Sequence, residues 1–150
     1  MTTLAIGSKA PDFKIPDQNG HIRTLKEFKG KKLVLYFYPK DDTPGCTAEA
    51  CDLRDNYKKF IKAGYSILGV STDNEKKHQK FIAKYKLPFD LLADTDHVLA
   101  DAYGVWGEKV LFGIHYMGMR RNTFVIDEKG KIIDIIEKVK TKQHSAQLLK

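Results

Sequence analysis

Six consecutive residues, Leu33-Val34-Leu35-Tyr36-Phe37-Tyr38, are all apolar or aromatic, bounded by Lys31-Lys32 and by Pro39-Lys40. A run this short is a strand, far below the length that crosses a bilayer. It has no polar residue at alternate positions, so neither face is built to meet water. The strand must lie inside a sheet covered above and below, which limits the chain to layered α/β architectures. Tyr65-Ser66-Ile67-Leu68-Gly69-Val70 reads as a second buried strand.

The segment between them has a helical period. Cys46, Ala50, Leu53, Tyr57, Phe60 and Ile61 fall within roughly 100° of one another at 100° per residue, which predicts a helix over 46–62 with this stripe on the sheet. Cys51 lies about 140° from Cys46, on the helix flank. Ala63-Gly64 ends the helix as a glycine cap.

Upstream, Phe13, Ile15 and Ile22 flank the turn signal Asp17-Gln18-Asn19-Gly20, a small hairpin. Thr24-Leu25-Lys26-Glu27 has capping-box spacing, and one helical turn should end at Gly30. Downstream, Ser71 to Asn74 supply caps for a helix near 75–86 with Phe81, Ile82 and Tyr85 inward, stopped by Pro88. Phe89 to Ala93 is a short strand, and Asp94-Thr95-Asp96 cap a helix carrying Val98, Leu99, Ala102 and Tyr103. Residues 106–118, with three glycines, read as a loop. Thr123–Ile126 and Ile132–Ile136 flank Asp127-Glu128-Lys129-Gly130 as a hairpin, and a last helix lies near 142–149. The order βαβαβα, closed by an antiparallel hairpin and a helix, implies one α/β domain over 1–150 with right-handed crossovers.

Composition narrows the function. The 26 Lys and Arg are interleaved with 19 acidic residues, for a net charge of +7. Without a clustered basic face this is solvated surface rather than a nucleic-acid footprint. The N-terminus lacks the charged start and apolar core of a signal peptide, so a reducing cytoplasm is expected, where two cysteines are reactive or metal-binding rather than stapled together. The five histidines show no ligand spacing with the cysteines, C-x4-C is a poor zinc signature, and no glycine-rich phosphate loop is present. No metal or other cofactor, nucleic acid or membrane is expected as a partner.

Chemistry concentrates where the first strand meets the helix. In open α/β sheets, sites form at the carboxyl ends of strands. Cys46 sits there, at a helix start whose unpaired N–H groups and dipole favour a negative charge, hence a nucleophilic thiolate. Pro39-x-x-x-Thr43-x-x-Cys46 resembles the active-site signature of the peroxiredoxins. Thr43 to Cys51, with Ala10-Pro11-Asp12-Phe13, Gly104 to Lys109 and Arg121 to Asp127, resembles the PrxQ or bacterioferritin comigratory protein branch over nearly the whole chain. The resemblance implies a thioredoxin-like fold, a central mixed sheet with helices on both faces, and reduction of hydroperoxides by thiol chemistry.

It also implies roles. Cys46 is the peroxidatic nucleophile and Cys51 the resolving thiol, closing an intramolecular disulfide. Thr43, otherwise a helix cap, donates to thiolate or peroxide. Pro39, otherwise a strand terminator, shapes and shields the pocket. The family's arginine falls on Arg121 rather than Arg120, and a guanidinium there meets the charge on the departing oxygen. Glu49 either orients the arginine or serves as a first-turn carboxylate. Thioredoxin or a similar dithiol is the implied reductant, and the branch suggests a monomer or weak homodimer.

Helix geometry adds a constraint. Residues i and i+5 of an intact helix have Cα atoms about 8–9 Å apart, and a disulfide tolerates at most about 7 Å. Joining Cys46 to Cys51 therefore requires local unwinding near 45–55. Competing readings are a peroxidase using Cys46 alone, a general thiol–disulfide oxidoreductase, which normally carries C-x-x-C, and a non-catalytic thioredoxin-like module.

Overall fold

The computed structural model describes residues 2–150. In chain order its elements are β1 (Lys14–Pro16), β2 (Ile22–Thr24), a 3-10 turn (Leu25–Phe28), β3 (Lys32–Phe37), α1 (Pro44–Asp55), α2 (Tyr57–Lys62), β4 (Tyr65–Ser71) and α3 (Glu75–Tyr85). These are followed by β5 (Asp90–Ala93), α4 (Val98–Ala102), β6 (Trp106–Leu111), β7 (Ile114–Met119), β8 (Asn122–Ile126), β9 (Ile132–Ile136) and α5 (His144–Leu148).

The central sheet has the order β5-β4-β3-β8-β9. β3, β4 and β5 run parallel, while β8 and β9 are antiparallel additions. The opening apolar run is thus the middle strand. Its alternate side chains feed two cores. Leu33, Leu35 and Phe37 pack with Leu99, Ala100 and Tyr103 of the α4 side, and Val34, Tyr36 and Tyr38 pack with Cys46, Ala50, Leu53, Phe60 and Phe81 of the α1–α3 side. Each fully buried Leu, Val or Phe among them contributes about 1.5–3 kcal/mol. This makes the carboxyl end of β3 a firm base for the loop that follows. The α/β, thioredoxin-like arrangement expected from the sequence, helices on both faces of a mixed sheet, is the one observed.

Three local expectations are corrected. The helix of 46–62 is two helices, because Asn56 leaves helical geometry and its side-chain amide donates to the Asp52 carbonyl. The second helix is re-aimed, so Phe60 stays buried while Ile61 is 51% exposed. Val98, placed inward by its spacing, is 62% exposed, because α4 is one short turn begun by His97 in the left-handed region. Residues 106–118 are not a loop. They form the β6–β7 hairpin, whose Phe112-Gly113 turn has φ of 51° and 78°, the two positive angles of a type I′ turn. No helix among the described residues is long and apolar enough to cross a membrane.

Candidate active site

The chain leaves β3 at Phe37 and crosses from Tyr38 to Thr43 before α1 begins. Thr43 is extended at the N-cap (φ −91°, ψ 156°) and Pro44 occupies the first helical turn, where a missing N–H does no harm. The first-turn N–H groups of Gly45 and Cys46 therefore have no intrahelical acceptor. Cys46 itself is 1% exposed, on the α1 stripe that faces the sheet.

Arg121 arrives from the start of β8, the neighbour of β3. Its Nη2 donates to Cys46 Sγ at 3.2 Å, and its Nη1 donates to Glu49 Oε1 at 2.7 Å. One planar guanidinium thus ties together two residues one turn apart on α1, a fork that lysine cannot form. Burial alone lowers the Arg121 proton affinity, but the Cys46 and Glu49 charges outweigh it and raise the group above its ordinary range. Gly45 gives this side chain room, since a Cβ there would lie 3.3 Å from Arg121 Nη2. Arg120 points elsewhere, with its guanidinium over Gly107.

Glu49 is fully buried. Burial pushes its carboxyl up to about 7, against the pull of Arg121 in the other direction. Its second oxygen, Oε2, has no hydrogen bond and lies 3.5 Å from His144 Nε2. His144 is also fully buried, its proton affinity lowered by that burial. Its Nδ1 meets the Gln147 side-chain amide oxygen Oε1 at 2.8 Å, so Nδ1 carries the hydrogen, and Nε2 accepts from the Thr123 hydroxyl at 2.7 Å. Sequence reading overlooked His144. The histidines carry no metal spacing in the sequence, and His144 lies beside the Glu49 carboxyl without a hydrogen bond to it.

Thr43, at the N-cap of α1, gives its hydroxyl proton to the Lys40 carbonyl at 2.9 Å, not to Cys46. Pro39 is half-buried in the bend that precedes it. Lys109, on β6, is held below its ordinary range by burial and then by the Arg121 charge, with Nζ donating to the Met119 carbonyl. Cys51 lies half-buried further along α1 and is, like Cys46, a free thiol. The helix is continuous between them. The structure therefore brings Cys46, Glu49 and Arg121 together and keeps Cys51 apart. A cysteine paired with a fixed cation, at a helix start and the carboxyl end of a strand, is equipped for nucleophilic attack that expels an anion.

Comparison with known proteins agrees. The AhpC/TSA family model matches residues 6–135. Peroxiredoxin Bcp of Bacillus subtilis is 50% identical over 147 residues, covering 98% of this chain and 94% of that protein. The solved structure of Xanthomonas campestris Peroxiredoxin Q superposes with a TM-score of 0.88 at 38% identity, over 99% of this chain and 94% of that one. A second Xanthomonas campestris structure, of the bacterioferritin comigratory protein and concerned with its alkyl peroxide reduction activity, gives 0.88 at 37% identity over 99% and 95%.

Proposed function

The chain belongs to the AhpC/TSA family as a peroxiredoxin of the Bcp branch, a thiol peroxidase acting on hydroperoxides, and from that premise we propose how its own residues divide the reaction. Cys46 is the nucleophile. Its thiolate attacks the terminal oxygen of the hydroperoxide, the O–O bond breaks, and the sulfur becomes a sulfenic acid. The leaving alkoxide or hydroxide takes up a proton as alcohol or water. Arg121 and the first-turn N–H groups of α1 face the charge that develops on that oxygen. Thr43, its own proton committed to Lys40, offers lone pairs that accept the O–H of the bound hydroperoxide. Pro39 closes the pocket at its back. Glu49 fixes the angle of the Arg121 fork.

Cys51 then attacks the sulfenic sulfur and expels water, leaving a Cys46–Cys51 disulfide. A dithiol protein of the thioredoxin kind returns both thiols. Two free cysteines suit a reducing cytoplasm. We take residues 1–150 as one thioredoxin-like domain that works as a monomer or weak homodimer.

The observation that carries this reading is the Arg121 fork spanning Cys46 Sγ and Glu49. The test is consumption of hydrogen peroxide with thioredoxin, thioredoxin reductase and NADPH. Cys46→Ser should abolish turnover, and retention of most activity by that variant refutes the assignment.

A further inference from the structure

The loop carrying Thr43 and Cys46 is held from its far side by a buried network outside the peroxide site. His78, in the first turns of α3, is 0% exposed, and Asp41 and Asp73 are nearly as buried. His78 Nδ1 lies 2.6 Å from Asp41 Oδ2, and His78 Nε2 lies 2.9 Å from the Leu92 carbonyl oxygen. The other Asp41 oxygen accepts from the Tyr38 hydroxyl at 2.5 Å. The Asp41 N–H donates to Asp73 Oδ2 at 2.7 Å, and the Ser71 hydroxyl donates to that same oxygen at 2.7 Å.

Counting hydrogens decides what this network is. A carbonyl oxygen only accepts, so Nε2 must carry a hydrogen. A neutral imidazole then has a bare Nδ1, and two bare lone pairs do not sit 2.6 Å apart in a dry interior. A second proton therefore lies between Asp41 and His78. The pair is a charge-assisted bond that ties the loop to α3 and, through the Leu92 carbonyl, to β5. Next to it Asp42, in the left-handed region at φ 58°, accepts from Lys84 Nζ at 2.8 Å and from the Tyr85 hydroxyl at 2.6 Å. Those two contacts are exposed and weak. The Asp41 contact is the firm one.

We propose that His78 is a positioning residue for the peroxidase reaction: through the proton it shares with Asp41 it fixes the turn that presents Thr43 and Cys46 to the hydroperoxide. The proposal rests on the reading of those two residues given above. It explains why so polar a cluster is kept two residues from Thr43, at a depth where a partly paired carboxylate is costly. The alternative occupant of the cluster is a cation, since Asp41, Asp73 and His78 offer ligand atoms within 4.8 Å of one another. The internal hydrogen bonds speak for the proton, because both Asp41 oxygens, Asp73 Oδ2 and both His78 nitrogens are already engaged.

Two amide substitutions separate positioning from mere packing. In His78→Asn the amide replaces Nδ1 and still donates to Asp41. In His78→Gln it replaces Nε2, reaching Leu92 and leaving Asp41 Oδ2 unpaired. The readout is the second-order rate of Cys46 oxidation by hydrogen peroxide, at a temperature where circular dichroism shows each variant folded. His78→Gln should lose about tenfold or more, as expected of a misplaced reacting group, and His78→Asn should recover most of it. The rate at which a dithiol reduces the oxidised enzyme should stay level in both. Equal rates for the two variants, or losses in both half-reactions alike, overturn the proposal. If neither variant folds, the wild-type enzyme decides. Nitrogen-15 spectra of the metal-free, EDTA-dialysed protein should show a slowly exchanging proton at His78 Nδ1 as well as at Nε2, and its absence refutes the shared proton. Inactivity of that dialysed protein, restored by zinc, would assign the cluster to a metal instead. Cys46→Ser, run in parallel, reports on the underlying peroxidase reading independently of either result.

Discussion

Arg121 donates to the Cys46 sulfur from one arm of its guanidinium while the other arm is anchored to a carboxylate one helical turn away. The geometry separates two jobs that a point charge would merge. One nitrogen faces the sulfur proposed as the nucleophile and the other holds the angle. Arg121→Lys keeps a cation but loses the fork, and Arg121→Ala loses both. Removing a preorganised donor from a site of developing negative charge costs about 10²–10³ in rate. Arg121→Ala should show a loss of that size in kcat/KM for hydrogen peroxide, with Arg121→Lys closer to the alanine variant than to wild type. Stopped-flow kinetics check this, and a lysine variant near full activity would reduce the fork to simple charge.

Glu49 supplies a pH signature. Its carboxyl is ordinary at 4.5 and, through burial, is pushed up to about 7 in the folded protein, although Arg121 pulls it down. Between those values the folded chain holds a proton that the unfolded chain has released. Stability is therefore fully present below about 4.5 and declines as pH rises toward 7, by on the order of 3 kcal/mol. His144, lowered by burial, acts in the opposite direction, so the comparison must isolate Glu49. Glu49→Gln cannot titrate. Urea unfolding of both proteins from pH 4.5 to 8 should show the wild type losing that much more stability than the variant. A flat difference would mean that the carboxylate is fully compensated by its guanidinium partner.

Much of this arrangement is legible in the residues. The Leu33–Tyr38 run marks the central strand because a strand covered on both faces has no polar alternation, whereas the helix start, read at Cys46 from the periodicity, falls two residues earlier at Pro44. The β6–β7 hairpin is not legible, for a related reason. Its strands are mostly exposed on both faces, so no two-residue period is written into them, and its turn uses Phe112-Gly113 rather than Asn-Gly. The break at Asn56 hides inside a periodicity that continues through Phe60. At the site, the nucleophile and its arginine have local signals. Glu49 reads equally well as a first-turn carboxylate, which the start of α1 at Pro44 rules out by placing it in the second turn, and His144 and His78 have no signal, because what defines them is a buried partner 95 and 37 residues away in sequence.

Gly45 tests how tightly Arg121 is seated. Its φ is not in the left-handed region, so alanine fits the backbone and should favour the helix by up to about 1 kcal/mol. Its Cβ would meet Arg121 Nη2 at 3.3 Å, closer than most such contacts, and Thr141 Cγ2 at 3.9 Å. Gly45→Ala should therefore hold or raise the melting temperature while the rate of Cys46 oxidation drops several-fold. Unchanged kinetics would show that the guanidinium can shift by a few tenths of an ångström without consequence.

The last prediction concerns the resolving step, because α1 is unbroken from Pro44 to Asp55 with both cysteines in it. An intact helix keeps their Cα atoms about 8–9 Å apart, beyond the roughly 7 Å that a disulfide spans. For the proposed Cys46–Cys51 disulfide to form the helix must open, and α5 holds it at that point. The Ser145 N–H donates to the Asp52 carboxylate at 2.6 Å, the Ser145 hydroxyl donates to the Asp52 carbonyl at 3.1 Å, and His144 rests beside Glu49. Opening α1 through Asp52 breaks these contacts, so the terminal helix should loosen in the same event. Hydrogen exchange of the oxidised enzyme should show amides of 45–55 and of α5 losing protection together, while β3 and β8 remain protected. Asp52→Asn weakens the clasp without touching the thiols. It should speed disulfide formation after one equivalent of peroxide, seen as faster conversion of sulfenic acid to the Cys46–Cys51 form by mass spectrometry. Equal protection of residues 45–55 in both redox states, or a lasting sulfenic acid with no disulfide, would leave Cys46 to work alone.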